Sequence, residues 1–225
     1  MTRPTNILLL RHAHSTANDR GILAGRDKTV GLSKRGVEES HLVKEHLTTL
    51  IHSGFTIDRI VVSPLLRVRE TIAPFLTSNQ GIEVVRDSGL IEMDYGSWSG
   101  KKLSLLSKRP LWEKIQQRPS AVRFPEGESF LEMAARSSEA VESLALPSKT
   151  TLFVSHGDVI KSIIAHHLGL HLDQFQRIAI EPASLSRISI SSGRSTLISM
   201  NCIEHLRKVS SKEIDSTLGG GSGRR

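Results

Sequence analysis

The sequence predicts an α/β fold: a three-layer α/β/α sandwich around a mixed, mostly parallel sheet. Three observations lead there. Short runs rich in Ile, Leu and Val recur at 6–10, 59–62, 82–85 and 150–154, with the length and branching of buried strands. Segments with helical apolar spacing lie between them, and that alternation implies parallel strands joined by crossover helices. The 225 residues suffice for one compact domain with a tail and not for two full-sized domains.

Taken in order, 6–10 (NILLL) is a short apolar strand followed by polar residues. Residues 34–52 carry Val37, Leu42, Val43, Leu47, Leu50 and Ile51 as a helical stripe, and Gly54 follows as a stop. A second strand occupies 59–62, and Ser63-Pro64 then reads as a helix start, serine as cap and proline at the first position. The third strand is 82–85. Residues 96–127 mix Gly, Ser, Lys and Pro around a helical piece near 103–117, which reads as a cap segment outside the core. An amphipathic helix spans 129–146, a strand 150–154, and a helix 158–168 with Ile160, Ile163, Ile164 and Leu168 on one side. A pair of strands at 184–190 and 195–200 closes the sheet around Ser192-Gly193. The domain is therefore expected over 1–205, and 206–225, ending GGGSGRR, as a flexible tail. No lysine-serine pair or helix follows those glycines, so they do not form a phosphate-binding P-loop.

Composition narrows the function classes. Apolar residues make up 38% and charged residues 24%, ordinary globular usage that rejects a disordered chain. A single cysteine, Cys202, excludes an intramolecular disulfide and fits a reducing compartment. No run approaches the ~18 apolar residues of a membrane helix, and the four apolar residues Ile7 to Leu10 are too few for a signal peptide. A cytoplasmic protein without membrane contact is expected. The net charge of +7 fits small anions as well as nucleic acid. The basic residues are scattered and only nine residues are aromatic, against a nucleic-acid platform.

Ligands of open α/β sheets bind beyond the carboxyl ends of the strands. Four polar segments fall there: Arg11-His12, Ser63 to Arg67, the loop holding Glu92, and His156-Gly157. Singly, each residue would read as a solvated or capping side chain. Together, two arginines, two histidines and a carboxylate form an anion site, because arginine's planar fork matches phosphate oxygens at any working pH. A helix opening at Gly157 would aim free amides at the same anion. A histidine among these cations stays neutral and keeps one nitrogen lone pair, which makes it a competent nucleophile toward phosphorus. Asp94 competes with Glu92 as the acid on chemistry alone. His12-Ala13-His14 has a rival reading as an H-x-H metal pair of a hydrolase, for which only His156 is comparably placed.

The same residues resemble the signatures of the histidine phosphatase superfamily, which includes phosphoglycerate mutases. Arg11 to Asn18 (RHAHSTAN) is similar to the family's opening segment, Ser63 to Thr71 to its S-P-L-x-R-x-x-E-T, and Glu92 to Gly100 to its E-x-x-Y-G-x-W-x-G. Phe124 to Ser129 resembles its P-x-G-E-S element, and Ser155 to Gly157 its S-H-G. All stand in family order and cover about 6–200. The chain looks most like actinobacterial members described as phosphomutases.

The resemblance implies a phosphoglycerate mutase-like fold and a phosphatase of small phosphomonoesters. His12 would be the nucleophile, and Arg11, Arg67 and His156 would hold phosphate with Asn18 and Ser15. Glu92 would be the acid and base. It implies no metal or other cofactor, a small phosphorylated substrate as partner, and leaves a homodimer open. EMDYGSWSG looks more like the phosphatase branch than the glycolytic mutase, whose arginine-rich insertion has no counterpart here; a phosphomutase and a catalytically silent phosphate-binding module are the alternatives. Two positions depart from the family: Ala13 replaces the usual glycine, and His14 stands where Glu, Gln or Arg is common. The basic residues Lys101, Lys102, Lys108, Arg109, Lys114, Arg118 and Arg123 are consistent with a second anionic group on the substrate and equally with a plain solvated face.

Overall fold

A computed structural model describes residues 3–206, so the expected tail beyond Leu206 lies outside the described residues. Strand β1 (Thr5–Arg11) leads through a short helix α1 (Thr16–Asp19) to α2 (Lys34–His52). Then come β2 (Arg59–Val62), α3 (Leu66–Ser78) and β3 (Glu83–Arg86). Two helices, α4 (Leu103–Leu106) and α5 (Pro110–Gln117), precede α6 (Phe130–Leu144). The chain closes with β4 (Thr150–Ser155), α7 (Gly157–His167), β5 (Leu185–Ser191) and β6 (Arg194–Cys202).

The sheet has six strands in the order β3-β2-β4-β1-β5-β6. β1 to β4 are parallel, and β5 and β6 add an antiparallel edge. The central strands are buried on both faces, as parallel sheets require. Alternation along β1 separates two cores. Ile7 and Leu9 face α6, α7 and the 96–124 segment, while Leu8 and Leu10 face α2 and α3. That division is the three-layer sandwich. Each fully buried Leu, Ile or Phe contributes about 1.5–3 kcal/mol of transfer free energy.

Several boundaries differ from the sequence reading. Ser63 does not cap α3, which opens at Leu66 behind Leu65 without a side-chain cap; the Ser63 hydroxyl is 2.8 Å from His156 Nε2 instead. The helical piece near 103–117 is two helices, because Pro110 cannot donate a backbone bond and disfavours helix before it. The 96–127 segment is not held outside the core: Trp98, Leu106, Ile115, Val122 and Phe124 are buried in the layer beneath it. Trp98 packs edge-to-face on Phe124 at 5.5 Å, so it serves as core. His166 and His167 lie in the last turn of α7, bonded to Glu142 and Ser195. Among the described residues no helix is long and apolar enough to cross a membrane.

Candidate active site

The strand register brings the predicted segments to one sheet edge. Arg11 aligns with Ser155, and Val62 with Val154, so β1, β2 and β4 end side by side. His12, Ser63 and His156 are the next residues of three neighbouring strands. The His12 N–H donates to the Ser155 carbonyl at 2.9 Å, and the Ser63 N–H to the Val154 carbonyl at 3.0 Å, extending the ladder into the site.

His12 is 3% exposed. Its Nδ1 lies 2.8 Å from the Ala13 carbonyl, which can only accept, so Nδ1 carries the proton and Nε2 keeps its lone pair. Burial depresses its pKa well below the ordinary histidine value, and Arg67 and Arg11 push the same way. The imidazole is therefore neutral. The His156 ring stands edge-on to it, 5.2 Å between centroids. Arg67 Nη2 donates to His156 Nδ1 at 3.3 Å and to the Gly25 carbonyl at 2.9 Å. With Nδ1 accepting, His156 Nε2 donates to the Ser63 hydroxyl. Burial, then Arg67, hold His156 well below its usual pKa too.

Glu92 places Oε2 3.7 Å from His156 Nδ1, and its Oε1 accepts the Met93 N–H at 2.9 Å. Burial and then the Asp158 carboxylate raise its pKa to about 7, against the opposing pull of Arg67. Asp94 is elsewhere, half-buried and paired with Arg26 at 3.3 Å, so geometry separates the two carboxylates that chemistry alone did not. The loop carrying Glu92 is anchored by Glu128 of the PEGES segment. That carboxylate accepts the Asp94 N–H and pairs with Arg136 and Arg26. Gly96 meets the same segment so closely, at φ +50°, that a Cβ there would lie 2.0 Å from the Pro125 carbonyl.

Ser15 and Asn18 form the cap of α1. The Ser15 N–H and hydroxyl both donate to Asn18 Oδ1, and the hydroxyl accepts the Asn18 N–H. Asn18 thereby keeps its Nδ2 hydrogens as the amide's remaining donors. Arg11 is fully buried, with Nη1 donating to the Ile180 carbonyl at 2.6 Å. His12, Ser15, Asn18, Arg67 and Glu92 line one cleft, together with Tyr95.

The two departures from the family pattern have plain consequences. Ala13 is not among the positive-φ residues; its methyl packs in the core with Val43 and Val68. His14 turns away, its Nδ1 bonding Ser33 at 3.0 Å and facing Asp19 at 3.5 Å, so His12-Ala13-His14 is not a chelating pair. His12, Glu92 and His156 do converge within 4.8 Å. The Arg67 guanidinium touching His156, and Arg11 beside it, disfavour a cation and favour an anion there.

Sequence reasoning missed five contributors: Ser63, Thr71, Tyr95, Asp158 and Lys161. Thr71 accepts the Ala13 N–H at 2.9 Å and donates to the Arg67 carbonyl at 2.7 Å. Ser63 orients His156. Tyr95 donates to Asp158 Oδ2 at 2.8 Å, and Lys161 lies 3.7 Å from the other oxygen. Ser63 and Thr71 sit inside a recognised segment, and Asp158 and Lys161 are charges on an otherwise apolar helix; those were the available signals.

A three-layer α/β sandwich with a neutral imidazole among guanidinium groups at the carboxyl edge of its sheet is the class of protein that the fold and the candidate site define. The particular family follows from comparison with known proteins. The model of the histidine phosphatase superfamily (branch 1) matches residues 7–203, and the chain belongs to that family. It is 28% identical over 204 residues to phosphoserine phosphatase 1 of Hydrogenobacter thermophilus, covering 89% of this chain and 93% of that one. It is 30% identical over 186 residues to a probable phosphoglycerate mutase GpmB of Erwinia tasmaniensis, covering 81% and 83%. Among solved structures, Bacillus stearothermophilus YhfR superposes with a TM-score of 0.80 at 23% identity, over 90% of this chain and 99% of that chain. A mycobacterial glucosyl-3-phosphoglycerate phosphatase complexed with VO3 superposes at 0.76 and 25% identity, over 88% and 100%.

Proposed function

We propose that the chain hydrolyses small phosphomonoesters without a metal, through a covalent phosphohistidine on His12. The observation that carries this reading is the His12 tautomer: a buried, neutral ring with Nδ1–H fixed on the Ala13 carbonyl and its Nε2 lone pair free for attack. Phosphatase-named relatives support the reaction class.

Arg11, Arg67 and the Asn18 amide bind the phosphoryl oxygens, and Ser15 holds Asn18 in place; His156 joins them through Nδ1 when the bound dianion draws a proton onto that nitrogen, while its Nε2–H stays on Ser63. His12 Nε2 forms the P–N bond as the P–O bond to the leaving group breaks. The Glu92 carboxyl passes its proton to the departing oxygen. Water then attacks phosphorus, giving a proton back to Glu92 as the P–N bond breaks and inorganic phosphate forms. A carboxyl titrating near 7 suits both transfers at neutral pH. Positioning and charge stabilisation carry most of the catalysis of phosphoryl transfer, so a cationic cradle is the main requirement. Each well-aimed donor contributes about 3 kcal/mol by analogy with oxyanion sites.

A phosphomutase differs only in returning the phosphoryl group to a substrate hydroxyl, and the mutase-named relative favours it as the second reading. Turnover of p-nitrophenyl phosphate by the wild type and its loss in His12→Ala test the phosphatase. With 3-phosphoglycerate and a trace of 2,3-bisphosphoglycerate, isomerisation faster than phosphate release would overturn it in favour of the mutase. No turnover of either substrate would leave a binding module.

A further inference from the structure

Beyond the phosphate cradle, the cleft changes character. Ala17, Ile22, Leu23, Ala24 and Leu103 line it beside His12 and Arg67. The main chain builds this wall by pairing two segments. The Leu23 N–H donates to the Lys101 carbonyl at 3.0 Å, the Gly100 N–H to the Leu23 carbonyl at 2.8 Å, and the Leu103 N–H to the Gly21 carbonyl at 2.8 Å. Leu23 is 3% exposed and Leu103 packs against the core, so the wall is fixed by the fold and not by a loose loop.

The basic residues from Lys101 to Arg123, which the sequence offered as a second anion site, behave otherwise. All seven are exposed, and none lines the cleft. Among the described residues that line the cleft, the one cation is Arg67. Its Nη atoms already meet the Gly25 and Asp27 carbonyls and His156, which leaves little donor capacity beyond the phosphoryl group it is proposed to hold. A carboxylate on the leaving group would lose water against this wall without gaining a charged partner, whereas an alkyl chain would bury area there.

The geometry points to a substrate class: phosphomonoesters whose leaving alcohol is uncharged and lays aliphatic carbon against Ile22 and Leu103, which Leu23 backs from the core, in preference to phosphoglycerates and other doubly anionic esters. This rests on the phosphatase reading above and adds the identity of the leaving group. Ile22 and Leu103 become the specificity-determining residues.

A matched series tests it. Glycerol 3-phosphate replaces the carboxylate of 3-phosphoglycerate by a hydroxymethyl group, and propyl phosphate removes both polar ends. The expected order of kcat/KM is propyl phosphate, glycerol 3-phosphate, 3-phosphoglycerate, with about tenfold or more between the first and the last. Leu103→Lys should shrink that ratio by raising kcat/KM on 3-phosphoglycerate. Equal or faster hydrolysis of 3-phosphoglycerate by the wild type, or an unchanged ratio in Leu103→Lys, overturns the inference. If p-nitrophenyl phosphate is hydrolysed but the three alkyl esters are not, this inference alone fails. If p-nitrophenyl phosphate is also untouched, the phosphatase reading fails with it.

Discussion

The Thr71 hydroxyl ties the loop of His12, the proposed nucleophile, to Arg67, the proposed phosphate clamp, and Thr71→Val cuts that tie while keeping the side chain's shape. Thr71 is fully buried on α3. Its Oγ1 accepts the Ala13 N–H at 2.9 Å and donates to the Arg67 carbonyl at 2.7 Å. Valine leaves the Ala13 N–H buried without that partner, which costs about 1–3 kcal/mol. At about 2–4 °C per kcal/mol for a domain of this size, the melting temperature should fall by roughly 4–8 °C for a 2 kcal/mol loss. The consequence for rate comes through position. Ala13 adjoins His12, and the Arg67 carbonyl belongs to the residue proposed to clamp phosphate. A shift of ~1 Å between nucleophile and clamp lowers kcat/KM by up to about 100-fold. Thr71→Ser keeps the hydroxyl and should retain most of both properties. The assay pairs denaturant unfolding with p-nitrophenyl phosphate kinetics on wild type, Val and Ser variants. A Val variant within about 0.5 kcal/mol of wild type and equally active would refute the reasoning.

Other expected outcomes follow from the same geometry. Glu92 is the protonated acid below about pH 7, so hydrolysis of alkyl phosphates should fall as pH rises through about 7, and Glu92→Gln should abolish that limb in a pH–rate profile. The same variant should lose less on p-nitrophenyl phosphate, whose leaving group needs no proton; equal losses on both esters would contradict the acid role. Ser63→Ala removes the acceptor of His156 Nε2, and a rise in the inhibition constant of vanadate should report the loosened ring. Burial, with His46 stacked 4.6 Å away, lowers His205 from 6.5 to about 4, and His12 and His156 are lowered by burial as well. Their neutral forms favour the fold fully above the unfolded value of 6.5, and that stability is lost as pH falls toward 4. Thermal melts between those values should show it, with a flatter profile for His205→Phe. Incubation with EDTA should leave turnover unchanged; loss restored by zinc would move the site to metal chemistry.

Much of this molecule is legible in the sequence because local signals and the global fold agree. The run NILLL could only be a buried strand, and His12 had to emerge at its carboxyl end. Gly157 after His156 correctly marks a helix opening at the site. What the sequence hid depends on contacts between distant segments. Ser63 carries the chemistry of a helix cap, but His156, 93 residues away, takes its hydroxyl. The 96–127 segment reads as a cap by composition, yet Trp98, Leu106, Ile115, Val122 and Phe124 are anchored in the core. Its lysines and arginines fit a substrate contact and a solvated face equally well in the sequence, which gives their number and not the direction they face; all seven are exposed. Glu92 and Asp94 differ by two residues, and only the fold buries one and leaves the other paired with Arg26 near solvent. The Tyr95–Asp158–Lys161 network is likewise invisible without the packing of α7 against the Glu92 loop.

The capture of the intermediate tests the central claim most directly. Enzyme mixed with p-nitrophenyl phosphate is quenched in alkali during the first turnovers, where a phosphoramidate survives, and the modified peptide is sequenced by mass spectrometry. The account requires the added phosphoryl group on the His12 imidazole, and none in His12→Ala. A phosphoryl group on another residue, or full hydrolysis by His12→Ala, would contradict it.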